Sequence, residues 1–160
     1  MSSRAKNFNR VVICGSMSSY SEMLILREGL SDLGIGAVVP DPDDFYVEHS
    51  EDDANDLKRK LSMRHITRIR YAKTFGILVV NLDKYGIHSY IGPNTFAEIA
   101  IAFSHYKKIY VYQDLPEFYR DELMAWQVIP LKTSIKRLVD DYNSEVKRQQ
   151  TEALQLRLFE

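Results

Sequence analysis

The stretch GILVVNLDKYGIHSYIGPNTFAEIAIAF, Gly76 to Phe103, decides the fold. Ile77, Leu78, Val79 and Val80 form a continuous aliphatic run, the pattern of a strand buried on both faces in a parallel sheet. A loop from Asn81 to Asn94 follows, and behind its Gly-Pro-Asn-Thr turn comes an otherwise apolar helix with Glu98 in its first turn. In open α/β sheets ligands sit beyond the carboxyl ends of the strands, so this loop is expected to line a crevice that Glu98 faces.

On the amino-terminal side, Val11 to Cys14 reads as a first strand, Ser21 to Leu33 as a helix ended by Gly34, and Ala37 to Val39 as a second strand. After the turn Pro40 to Asp44, a polar stretch from about Ser50 carries Leu57, Leu61, Ile66 and Ile69 at helix-like spacings and leads into the central strand, expected over Ile77 to Asn81. On the carboxyl side, Ile109 to Tyr112 and Val128 to Leu131 are further strands, the second at an edge. From Ser134 the spacing of Ile135, Leu138, Val139, Tyr142 and Val146 predicts a long helix. Its end, Leu154, Leu156, Leu158 and Phe159, stays apolar but loses that spacing. Alternating strands and helices predict a single domain over residues 1–160, a three-layer α/β sandwich with a parallel sheet of about five strands in the order 2-1-3-4-5.

The formal net charge of -1 supplies no broad basic field for nucleic acid and no polybasic membrane patch. Cys14, the only cysteine, lies in the apolar run Val11 to Cys14, which excludes a disulfide framework or a cysteine-based zinc site within one chain and fits a reducing cytosol. MSSRAKNFNR lacks the apolar core of a signal peptide, and no apolar run approaches the ~20 residues that span a bilayer. A soluble, cytoplasmic protein is expected.

Two places invite chemistry. At the exit of the first strand, Gly15, Ser16, Met17, Ser18 and Ser19 combine close backbone approach, hydroxyls and a helix entrance, which suits a phosphate or a sugar hydroxyl; a serine-rich capping turn has the same composition. Glu98 is the second. Thr95 to Glu98 has the spacing of a capping box, in which the glutamate only returns to a free amide, whereas a helix apolar nearly all round makes it a buried carboxylate. Ionised by the helix terminus, such a carboxylate is suited to attack an anomeric carbon. Asp83 is placed to orient hydroxyls or handle a proton. Asn81 and Asn94 are placed to bind hydroxyls or a base, with His88 and Tyr90 as stacking or polar contacts. Asp41, Asp43 and Asp44 fit no calcium loop, and His49, His65, His88 and His105 have no paired zinc-ligand spacing, so no metal site is expected.

Val12-Ile13-Cys14-Gly15-Ser16, Leu78-Val79-Val80-Asn81 and Tyr90-Ile91-Gly92-Pro93-Asn94-Thr95, followed by Glu98-Ile99 and Ala102, resemble the nucleoside 2-deoxyribosyltransferase superfamily. The nearest branch is that of the 2'-deoxynucleoside 5'-monophosphate N-glycosidases. The resemblance spans about Val11 to Tyr112 and implies a flavodoxin-like fold. It further implies Glu98 as nucleophile; with Arg68 at the place of the second acidic group, either Asp83 takes over that role, or activity differs, or it is absent. Gly15 and Ser16 then begin its sugar-phosphate loop, and Met17, Ser18, Asn81, His88, Tyr90, Gly92 and Asn94 are the further candidates to contact a small-molecule nucleoside or nucleotide, with no metal or redox cofactor required. It also implies a homo-oligomer, most simply a dimer. Met17 and Ser18 stand where the monophosphate branch has an arginine, and Arg68 stands where a second acidic residue is expected. The glutamate segment is also similar to that of cytokinin-type phosphoribohydrolases, although this chain lacks their adjacent glycines. A nucleotide-binding module without turnover is the remaining alternative.

Overall fold

The computed structural model describes residues 7–42 and 51–159, and the expectations concerning Asp43, Asp44, His49 and Ser50 lie outside them. Strands β1 (Arg10–Gly15), β2 (Ala37–Val38), β3 (Thr74–Val80), β4 (Lys108–Val111) and β5 (Ile129–Pro130) pair in parallel in the order β2-β1-β3-β4-β5. Helices α1 (Tyr20–Asp32), α2 (Glu51–Arg70), α3 (Pro93–Ser104), α4 (Arg120–Ala125) and α5 (Lys136–Leu158) complete a flavodoxin-like three-layer α/β sandwich.

The two-residue alternation of a strand sorts β1 between two cores. Val11 and Ile13 pack with Met23 and Leu30 of α1 and Leu138 and Tyr142 of α5. Val12 and Cys14 go to the other face, with Ile69 of α2, Ile99 and Ala102 of α3 and Leu123 of α4. All of β3 is buried, which is why its sequence is a continuous apolar run rather than an alternating one. Its pairing with β1 slips by one residue: Arg10 opposes Thr74 and Val11 opposes Gly76. The extra residue, Phe75, therefore sends its ring to the α1/α5 side, against Phe8 and Tyr142.

Several expected boundaries move, three of them with consequences. The central strand starts at Thr74 and ends at Val80, leaving Asn81 in the loop. Helix α5 runs on through Leu158 although its apolar spacing is lost, because Leu154, Leu156 and Leu158 lie exposed rather than against the sheet. Helix α3 begins at Pro93, and this shift changes the reading of Glu98. Among the described residues no helix is long and apolar enough to cross a membrane.

Candidate active site

Gly92 is the N-cap of α3 in an extended conformation, and Pro93, whose fixed φ suits a first helical position, follows it. The Phe96 amide donates to the Gly92 carbonyl at 2.9 Å. Thr95 is thus inside the helix, and no side chain caps its start. The capping box is overturned, and Glu98 lies in the second turn rather than the first. The helix is also not buried all round: Thr95, Ile99 and Ala102 form its buried stripe, whereas Ala97 and Phe103 are exposed.

Glu98 and Asn94, one turn apart, line a cleft of about 170 Å³ at the carboxyl edge of the sheet. Lys58, Leu61, Ser62 and His65 supply the α2 wall, their spacing of three and four placing them on one helical face. Gly15 and Met17, at the exit of β1, and Pro40 and Asp41, after β2, complete it with Thr95. Gly15 is required here by close packing. A Cβ on it would lie 2.7 Å from the Val80 carbonyl oxygen and 2.8 Å from the Met23 methyl, at a φ of +152°.

Behind the cleft β1, α2 and α3 bring Cys14, His65 and Glu98 together. The Cys14 Sγ is 3.5 Å from His65 Nε2, which is 3.9 Å from the nearer Glu98 carboxylate oxygen. The second distance is too long for a hydrogen bond. Burial, with the Glu98 side chain 19 % exposed, pushes its carboxyl up to about 7, and the Cys14 thiol, donating to it, only partly offsets this. The helix terminus therefore does not keep Glu98 ionised, contrary to the sequence expectation. Burial pushes the Cys14 thiol well up and, with the Arg68 guanidinium, pushes His65 down to about 4, so His65 is neutral at pH 7.

The second carboxylate of the cleft is Asp41. Its two oxygens meet Arg64 at 2.9 Å and Arg68 at 3.2 Å. Partial burial acts to raise its pKa, but the two guanidinium groups outweigh it and hold Asp41 below the usual carboxylate range. Arg68, found where the resemblance expects an acid, thus secures an acid supplied by another element. The cleft pairs a carboxyl held high with a carboxylate held low, the arrangement by which one site keeps two acidic groups in different states.

Of the residues read from the sequence, Gly15, Met17, Asn94 and Glu98 line this cleft. Ser16 and Ser18 flank it with hydroxyls 3.0 Å apart, and Lys84 donates to Ser16 at 2.7 Å. Asp83, Asn81, His88, Tyr90 and Gly92 are not among its lining residues. Asp83 accepts from the Ser89 amide at 2.9 Å and meets His88 at 2.8 Å, bracing the loop. Asn81, fully buried, donates to the Asp114 carbonyl and accepts from the Gln113 amide, tying the loops after β3 and β4. The Tyr90 ring packs against Tyr85 and beside Gly92, and His88 lines a separate hollow with Leu115 and Phe118. Cys14, His65, Asp41 and Lys58 were missed as site residues. The helical spacing from Lys58 to His65 was the one signal that groups any of them.

Fold and cleft together define a doubly wound α/β protein with a partly buried carboxyl group at the carboxyl edge of its sheet. Compared with known proteins, the chain matches no protein-family model, no curated protein and no solved structure.

Proposed function

We propose that this protein cleaves or transfers at the N-glycosidic bond of a nucleoside or nucleotide, with Glu98 as nucleophile. The observation that carries the reading is Glu98 itself, a carboxyl group without a capping role, held deep in a cleft where open α/β sheets bind ligands. Its ionised form attacks the anomeric carbon as the bond to the base breaks through an oxocarbenium-like transition state. The covalent glycosyl-carboxylate then passes to water or to a second base. Asp41, kept ionised by Arg64 and Arg68, serves to hold sugar hydroxyls rather than to deliver a proton. The cleft volume of about 170 Å³ is below the ~300–1,000 Å³ of pockets that enclose whole drug-sized ligands, which favours the sugar inside and the base at the mouth. Lys58 on the α2 wall, with Ser16 and Ser18 next in sequence to the lining residues Gly15 and Met17, would take a phosphate in this reading.

Assembly as a homo-oligomer, most simply a dimer, belongs to the same reading. It is supported by an aromatic face on which Phe103 stacks on Trp126 at 5.2 Å beside a Tyr106 that is 97 % exposed. A chromatographic screen of nucleosides and 5'-monophosphates, with and without an acceptor base, tests the activity. Nucleotide binding without base release by wild type would replace the enzyme with a binding module.

A further inference from the structure

We infer that Cys14, His65 and Glu98 form a binding site for one thiophilic divalent cation of the zinc class. One potential ligand atom from each residue lies within 4.8 Å of those from the other two. Around a tetrahedral ion, Zn–S of about 2.3 Å and Zn–N of about 2.0–2.1 Å place sulfur and nitrogen about 3.5 Å apart, and nitrogen and oxygen about 3.3 Å apart. The observed Sγ to Nε2 separation, 3.5 Å, already has that value. The Nε2 to Oε1 separation, 3.9 Å, needs to close by only about half an ångström on the same geometry.

The cluster's own contacts leave room for such a partner. Among the described residues, His65 is 4 % exposed, and its Nε2 meets the thiol and, at a longer distance, the carboxylate oxygen. An ion would give lone pairs of all three side chains one common acceptor. On binding, the Cys14 thiol releases its proton to solvent, as does Glu98 where protonated, and the thiolate and carboxylate neutralise the two positive charges. A thiolate, an imidazole and a single carboxylate select zinc, cobalt(II) or cadmium over magnesium or calcium, which favour oxygen donors. His65 and Glu98 both line the cleft, so solvent there can supply the fourth ligand. Three protein ligands with one open position are the pattern of an exchangeable rather than a closed structural site. The sequence excluded a cysteine-based zinc site because it has one cysteine; the fold instead gathers one ligand each from β1, α2 and α3. An ion held by Glu98 takes the lone pair that attack on an anomeric carbon needs, so bound zinc should suppress turnover. That consequence, unlike the binding, rests on the proposed role of Glu98.

The test is titration of the chelator-stripped full chain with cobalt(II), reading the thiolate-to-cobalt charge-transfer absorption, with zinc as competitor. One ion per chain is expected, with the band abolished by Cys14→Ser, affinity reduced at least tenfold by Glu98→Gln with the band retained, and no competition from millimolar magnesium. Circular dichroism checks each fold. If Cys14→Ser does not fold, Glu98→Gln and His65→Ala decide. Absence of the band in wild type, or affinity unchanged in the folded variants, overturns the site. Cobalt binding by a wild type whose chelator-stripped, metal-free form releases no base would leave the metal site standing and remove the glycosidase reading.

Discussion

Replacing Glu98 with glutamine should stabilise this protein at alkaline pH and leave its stability unchanged in acid. The unfolded carboxyl loses its proton near 4.5 and the buried one near 7. Between these values the native state holds more protons than the unfolded state, so wild-type stability falls as pH rises through this window and levels off above it. At about 1.4 kcal/mol for each tenfold change in proton affinity, ionised Glu98 costs the fold about 3 kcal/mol. Glutamine keeps the shape and never ionises. For a domain of this size about 3 kcal/mol is roughly 6–12 °C in melting temperature. Urea denaturation of both proteins at pH 5 and pH 8.5, with a chelator present, reads the difference directly. The expected result is a glutamine variant more stable by less than about 1 kcal/mol at pH 5 and by about 3 kcal/mol at pH 8.5. Equal stability at pH 8.5, or a less stable variant, would refute the argument that burial at the cleft sets the state of Glu98.

Base release should show the same group, with kcat/KM rising about tenfold per pH unit below about 7 and levelling above it, because only ionised Glu98 attacks; a profile that falls from pH 5 to 7 would assign Glu98 the acid role instead. Asp83→Asn should leave turnover within a few-fold of wild type while costing about 1 kcal/mol in denaturation, since Asp83 braces Ser89 away from the cleft. Gly15→Ala should destabilise by about 1–3 kcal/mol, the usual cost of forcing atoms into a packed site, as measured by thermal melting. Light scattering at micromolar concentration should report a particle of twice the 18.6 kDa chain mass, and a monomer would remove the dimer.

The sheet was legible because buried parallel strands are written as aliphatic runs, as in Ile77 to Val80, and its strand order followed from the alternation of helices between them. Helix starts were less legible. Thr95 and Glu98 have the spacing of a cap, yet Pro93 at the first helical position begins the helix earlier and carries Glu98 into the second turn. Asp83 and Asn81 drew attention by their place after the central strand, where loop bracing and ligand binding call for the same residue types. Asp41 and His65 were hidden for the opposite reason: 24 residues separate them in sequence, and only the packing of α2 against α3 and β3 brings both to Glu98's cleft. Arg68 looked like a missing acid because its partner, Asp41, comes from the loop after β2 rather than from α2.

The most direct test of the central claim is base release from nucleosides and 5'-monophosphates by wild type beside Glu98→Gln, each confirmed as folded. Loss of a nucleophile removes several kcal/mol of transition-state stabilisation, so the variant should be slower by on the order of a thousandfold or more. A folded Glu98→Gln that releases base at the wild-type rate would contradict the account.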